Sequence, residues 1–269
     1  MANPTLLDYL HQLRRQGVSH VEIDDQARAV LRELYTRGSA RRPVAKTSVS
    51  APPNNTALRA TGSTPAEKIT SLSKIANTWQ PARALGSLRD TMVFSVGNPE
   101  ADFMLVGEAP DYQEEQKSEP FVGPAGAKLN QILKAMGLSR DQVYLTNVCK
   151  FRPATKNQTT NNRKPSPEEM ATFLPILKAE IDIVKPRVIV ALGGSAAQGL
   201  LGSGKPVGQF RGSWHQFQGI PLRVTHHPSY LLRQEEGPGE KRKVWEDMLA
   251  IMEKLALPIS EKQRGFFKG

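Results

Sequence analysis

Between Phe103 and Leu255 short apolar runs alternate with amphipathic stretches, a pattern that confines the chain to a sheet covered by helices on both faces. Phe103–Val106, Val143–Thr146, Val188–Leu192 and Leu222–Thr225 are the expected strands. The stretches between and after them predict helices over about Ala125–Met136, Pro167–Ile183, Ser195–Leu201 and Lys241–Leu255. One start is well marked: Ser166-Pro167-Glu168-Glu169 offers an N-cap serine, a proline at the first helical position and the reciprocal glutamate. The expected fold class is α/β, three-layer α/β/α with a central, mostly parallel four-stranded sheet, plus a small N-terminal helical segment.

In such sheets ligands bind beyond the carboxyl ends of the strands, where loops enter helix N-termini. That rule selects Gly107-Glu108-Ala109-Pro110, Thr146-Asn147-Val148, Gly193-Gly194-Ser195 and His226-His227-Pro228-Ser229. Together they bring a carboxylate, an amide and two imidazoles, a set suited to holding and polarising a heterocycle.

The run from Gly107 through Leu133 (GEAPDYQEEQKSEPFVGPAGAKLNQIL) resembles the first motif of the iron–sulfur uracil-DNA glycosylases. Thr146-Asn147-Val148 with Lys150 and Arg152-Pro153 is similar to a second motif, Asn162-Arg163-Lys164-Pro165 to a third, and His227-Pro228-Ser229-Tyr230-Leu231-Leu232-Arg233 to a fourth. The likeness extends from about Leu85 to Leu255. Four strings in order carry far more weight than any one alone.

The resemblance implies an enzyme that rotates a damaged nucleotide out of DNA and cleaves its N-glycosidic bond. It implies Glu108, Asn147 and His227 as catalytic residues. Phe121 would stack on the base, Asn147 read its edge, His227 donate a hydrogen bond to the leaving anion, and Glu108 handle the water. Gly107, Ala109, Asp111, Glu114, Phe121 and Asn147 would line the base pocket. Lys150, Arg152, Arg163, Lys164, Ser195, Ser229, Leu231, Leu232 and Arg233 would meet DNA, the leucines as an apolar wedge. Read without the family, Phe121 is a core residue, Asn147 a turn residue and Asp111 an acid suited to a tight turn. His226 has no assignment.

The chain also departs from the family it resembles. Gln80, Arg83, Phe151 and Phe173 fall at the positions of the cluster cysteines, and neither amide, guanidinium nor phenyl ligates iron as a thiolate does. No cofactor is therefore expected, with the two phenylalanines as an apolar plug. Cys149 is the only cysteine, which excludes a disulfide framework. The stretch Pro153–Pro165 is long and basic and contains no histidine, so no covalent sugar adduct is expected.

Residues 1–37 carry leucines at helical spacing and predict a helical hairpin, able to recruit a protein partner. Residues 38–80, rich in Arg, Ser, Thr, Pro and Asn, predict a basic flexible linker. The glycosylase-like domain is expected over 81–258, with a tail over 259–269. A formal charge of +10 favours a polyanionic partner such as DNA. The start lacks a signal-peptide pattern, and a cytoplasmic monomer is expected, nucleoid-associated in a prokaryote. The leading reading is excision of uracil or a related deaminated base in base excision repair. The alternative is a catalytically inactive DNA-binding member of the same fold.

Overall fold

The computed structural model describes residues 58–232 and 238–267. The hairpin expected over 1–37, and the linker as far as residue 57, lie outside the described residues. The chain continues as helix α1 (Pro65–Asn77), helix α2 (Gln80–Ala84) and strands β1 (Leu88–Met92), β2 (Ser95–Gly97) and β3 (Phe103–Gly107). Helices α3 (Tyr112–Lys117) and α4 (Gly123–Met136) follow, then β4 (Tyr144–Asn147), β5 (Phe151–Pro153), the long helix α5 (Pro167–Val184) and β6 (Val188–Leu192). The last third holds α6 (Gly194–Leu201), α7 (Val207–Phe210), β7 (Trp214–Phe217), β8 (Ile220–Thr225), a 3-10 turn over Pro228–Leu232, α8 (Pro238–Lys254) and α9 (Glu261–Arg264).

The main sheet has six strands in the order β2-β4-β3-β6-β8-β7, not four. The expected runs are its parallel centre, β4-β3-β6-β8. Two antiparallel edge strands complete it. Their brevity and the polar residues of β7 hide them from a hydrophobicity pattern, because an edge strand has little apolar surface to bury. A separate two-stranded ribbon pairs β1 with β5.

Alternation within the central strands divides the core. Met104, Val106, Tyr144, Ile189, Ala191, Leu222 and Val224 face one side, against α1, α5 and α6. Phe103, Leu105, Leu145, Val188, Val190 and Leu192 face the other, against α4 and α8. All five residues of β3 and of β6 are buried, which is why those runs show no polar alternation.

The linker expectation fails over residues 65–80. Thr64 accepts the Glu67 N–H while Glu67 reaches back to Thr64, so α1 has a full capping box, and Leu72 and Ala76 are completely buried. Residues 259–267 are likewise no loose tail. The Trp245 indole donates to Gln263 O at 2.8 Å, Gln263 Nε2 donates to Ala135 O at 2.8 Å, and Phe266 packs on Trp245.

Beneath β4 lies a buried polar network. Lys150 and Glu180 are fully buried and paired, and the Lys150 ammonium also donates to Thr146 Oγ1 at 2.6 Å and Asn147 O at 2.7 Å. Glu180 additionally takes hydroxyl hydrogen bonds from Tyr144 and Thr146, both at 3.0 Å. Burial pushes the Lys150 pKa down and that of Glu180 up, while their mutual attraction opposes both shifts. Removing one partner strands the other charge. Glu180→Leu is expected to cost about 3–5 kcal/mol in denaturant unfolding, with the double variant Lys150→Met/Glu180→Leu recovering most of it. Equal losses in the single and double variants would refute this account.

Candidate active site

The base of the site is set by Gly107 at the carboxyl end of β3. A Cβ there would lie 2.1 Å from Asn147 Oδ1 and 2.7 Å from Phe121 Cζ, so only glycine lets the amide and the ring meet over this strand. Asn147 ends the neighbouring β4 and is 2% exposed. Its Nδ2 is buried without a hydrogen-bond partner among the described residues. An unpaired buried amide costs about 1–3 kcal/mol, which marks it as a group awaiting a ligand. Asn147 O is held by Lys150, so the residue that presents the amide is anchored from below.

Phe121 has a left-handed backbone, φ 55°, unusual for a bulky side chain. Its N–H donates to Glu114 Oε1 and its carbonyl accepts from Arg140 Nη1 at 3.0 Å. A Cβ on Gly126 would stand 1.8 Å from that carbonyl, so α4 needs glycine there to let the Phe121 turn pass. Glu114 Oε2 takes the Asp111 N–H at 2.7 Å, and Asp111 Oδ1 takes the Glu114 N–H at 2.9 Å. Burial and the adjacent Asp111 push the Glu114 pKa up to about 7. These bonds correct the expectation that Glu114 lines the base. It fixes Phe121 from behind, and Asp111 caps α3. The D-x-x-E spacing of residues 111–114 was a readable capping-box signal. Ala109 is partly buried and packs against the α5 side of the core.

His227 comes from the loop after β8, its ring centroid 6.3 Å from that of Phe121. Gly193, at φ 94°, sits where a Cβ would be 3.2 Å from His227 Cβ. The Ser229 N–H donates to His227 Nδ1 at 3.2 Å, and the Ser229 hydroxyl lies 2.7 Å from the same nitrogen. A nitrogen accepting a backbone N–H carries no proton, which leaves the ring proton on Nε2. Burial pushes the His227 pKa down to about 4, so the imidazole is a neutral donor at neutral pH.

Burial raises the pKa of Glu108, which follows Gly107, opposed by the nearby Ser195 hydroxyl and by the positive charge of Lys164. Ser195, near the start of α6, is 8% exposed.

Several residues expected on DNA are structural. Lys150 is fully buried in the network under β4. Arg152, 1% exposed, pairs with Glu115 at 2.8 Å and donates to Thr159 O and Asn161 O. Arg163 grips both carboxylate oxygens of Glu169 and donates to Ser87 O and Ala154 O. These two arginines fold the 153–165 loop onto the start of α5, so it is not a free basic flap. Lys164 remains exposed beside Glu108. Ser229 is exposed but its hydroxyl attends His227. Leu231 is 8% exposed and belongs to the core with Val244 and Trp245, whereas Leu232 is 42% exposed. Only Leu232 can act as a wedge. Arg233 lies outside the described residues.

The positions at which cluster cysteines were expected carry a packed aromatic group. Phe151 and Phe173 are buried with ring centroids 5.9 Å apart, and the Arg83 guanidinium lies 4.4 Å over Phe151. Gln80 begins the same short helix as Arg83. None of the four supplies a thiolate, and among the described residues no group of three or more His, Cys, Asp or Glu is arranged for a metal. Cys149 is buried and its thiol pKa is pushed up strongly by desolvation. These residues do not fit an iron–sulfur cluster.

A family model described as the uracil DNA glycosylase superfamily matches residues 94–249. The type-4 uracil-DNA glycosylase of Thermotoga maritima is 41% identical over 150 residues, covering 54% of this chain and 73% of the relative. That of Pyrobaculum aerophilum is 36% identical over 167 residues, covering 59% and 82%. That of Archaeoglobus fulgidus is 44% identical over 114 residues, covering 42% and 54%.

Two outcomes check this geometry. Gly107→Ala is expected to leave folding intact but displace Asn147 or Phe121, abolishing ligand binding at the site while thermal unfolding moves little. In nitrogen-detected NMR, His227 is expected as the Nε2–H tautomer with no titration between about pH 5 and 8, because its proton is gained only near the lowered pKa of about 4. Titration near the ordinary histidine value would overturn the assignment.

Proposed function

Since the chain belongs to the uracil DNA glycosylase superfamily, we propose that it hydrolyses the N-glycosyl bond of uracil, or a related deaminated base, in DNA, and does so without an iron–sulfur cluster. The observation that carries the reading is the buried, unpartnered Asn147 amide beside the Phe121 ring and across from a neutral His227.

The Phe121 face offers a stacking surface to an extruded base, worth about 1–3 kcal/mol in comparable nucleic-acid sites. The Asn147 amide presents an acceptor and a donor side by side, matching the N3–H and O4 edge of uracil and opposing the reversed edge of cytosine. As the C1′–N1 bond breaks, its electron pair passes to the base and spreads onto O2. His227 Nε2–H is the donor for that developing charge and needs no change of protonation to serve it. Water then adds to C1′, and Glu108 is the carboxylate that orients it and takes its proton.

On the DNA side, Lys164 and Leu232 are the exposed residues of the expected set that suit phosphate and base-stack contact. The formal charge of +10 agrees with a DNA partner. We place the protein in base excision repair in the cytoplasm, working as a monomer.

The test is excision from uracil-containing oligonucleotides by metal-analysed protein. Wild type is expected to leave alkali-labile sites while holding no iron, and His227→Ala to lose about 10²–10³ in rate with DNA affinity retained. Binding without abasic-site formation on uracil, hypoxanthine or xanthine would sink the glycosylase reading in favour of a DNA-binding role. Iron in stoichiometric amount would sink the cluster-free part alone.

A further inference from the structure

His226, the histidine without a part in the chemistry above, occupies a joint. It follows Thr225, the fully buried last residue of β8, so its backbone starts from a fixed point. Its ring lies on Tyr230 with centroids 4.5 Å apart and planes 11° from parallel. Its Nε2 stands 3.4 Å from Glu240 Oε2 in the first turns of α8. The side chain thus touches the chain on both sides of the segment that links the 3-10 turn to α8.

The turn itself is held at other points. Tyr230 N–H donates to His227 O at 2.9 Å, Ser229 closes on His227 Nδ1, and Leu231 is sunk into the core. Leu232 is left projecting, 42% exposed, one residue beyond. Leu232 follows directly on Tyr230 and Leu231, and the His226 ring is one of the surfaces that hold Tyr230.

Resting on the reading above that Leu232 enters the DNA stack, we propose that His226 is a positioning residue for this wedge, required for opening paired DNA and dispensable for excision from a single strand. A single strand has no stack to prop open, so a residue acting only through Leu232 separates the two substrates. A residue that merely stabilised the fold or the His227 loop would affect both alike. Because the contact to Tyr230 is a ring stack, a phenyl ring should replace it, whereas a methyl group should not.

The experiment uses the full chain and uracil oligonucleotides, single-stranded and paired, with 2-aminopurine next to the uracil to report unstacking on binding. His226→Ala is expected to lower kcat/KM on paired DNA about tenfold, with less than about twofold change on the single strand, and to diminish the fluorescence rise in duplex. His226→Phe should restore most of both, and adding His226→Ala to Leu232→Ala should cost nothing further on duplex, as expected for residues acting as one unit. Equal losses on the two substrates, an unchanged duplex signal in His226→Ala, or no fluorescence rise with wild type would overturn the proposal. A wild-type rise without any excision would sink the glycosylase reading, and the fluorescence of His226→Ala would still decide this one.

Discussion

The site depends on holding Phe121 in a left-handed backbone conformation that its side chain does not favour. Such a residue costs about 1–3 kcal/mol and persists only when its surroundings over-determine it. Here the N–H is taken by Glu114 and the carbonyl by Arg140, which also donates to Pro120 O at 2.9 Å and pairs with Glu119. With both backbone groups engaged, the ring is carried over Gly107 to meet Asn147. Glu114 is poorly placed to ionise, since burial and Asp111 both raise its pKa. Two backbone N–H donors and Arg140 are what favour the carboxylate form. Glu114 acts on the aromatic ring through the Phe121 backbone N–H.

The same arrangement recurs around the pocket. Asn147 rests on Lys150 and His227 on Ser229, the two supports coming from different parts of the chain. A buried ammonium under Asn147 is costly to desolvate, and Glu180, Tyr144 and Thr146 together offset that cost. The polar layer below the site is what allows the layer above it to leave an amide unpaired. Preorganised groups of this kind lose little on reorganisation when charge develops on a ligand.

Strands β3 and β6 are legible because burial on both faces leaves continuous apolar runs, and α5 because Ser166 and Glu169 form the capping box its spacing announces. Helix α1 is harder to see. Thr64-Pro65-Ala66-Glu67 carries the same signal, but it sits in a stretch whose composition reads as linker. The motifs single out Phe121, Asn147 and His227, which the fold brings near one another. They do not tell which basic residues stay free, because a basic side chain looks the same in sequence whether it meets phosphate or an internal carboxylate. Arg152 has Glu115 as its partner, Arg163 has Glu169 and Lys150 has Glu180. Leu231 and Leu232 are adjacent and chemically identical, and only the packing of the 3-10 turn against α4 and α8 distinguishes the buried one from the exposed one.

The same layering explains how the chain can combine the glycosylase pocket with positions that offer iron no thiolates. Phe151 and Phe173 belong to the core between the sheet and α5, whereas Phe121 belongs to the core on the opposite face, with α4 and α8. The fully buried strands β3 and β6 stand between them. The Trp79 indole donates to Thr172 O at 3.0 Å just ahead of α2, and the Arg83 guanidinium covers Phe151, so the short helix is joined to α5 by an indole hydrogen bond and to β5 by a cation over a ring. What those positions contribute to the fold is contact between α2, β5 and α5, and close-packed side chains supply contact as well as a ligated group does. Neither Phe151 nor Phe173 is in the core that holds Phe121, so a change of core on one face leaves the packing around Phe121 on the other in place.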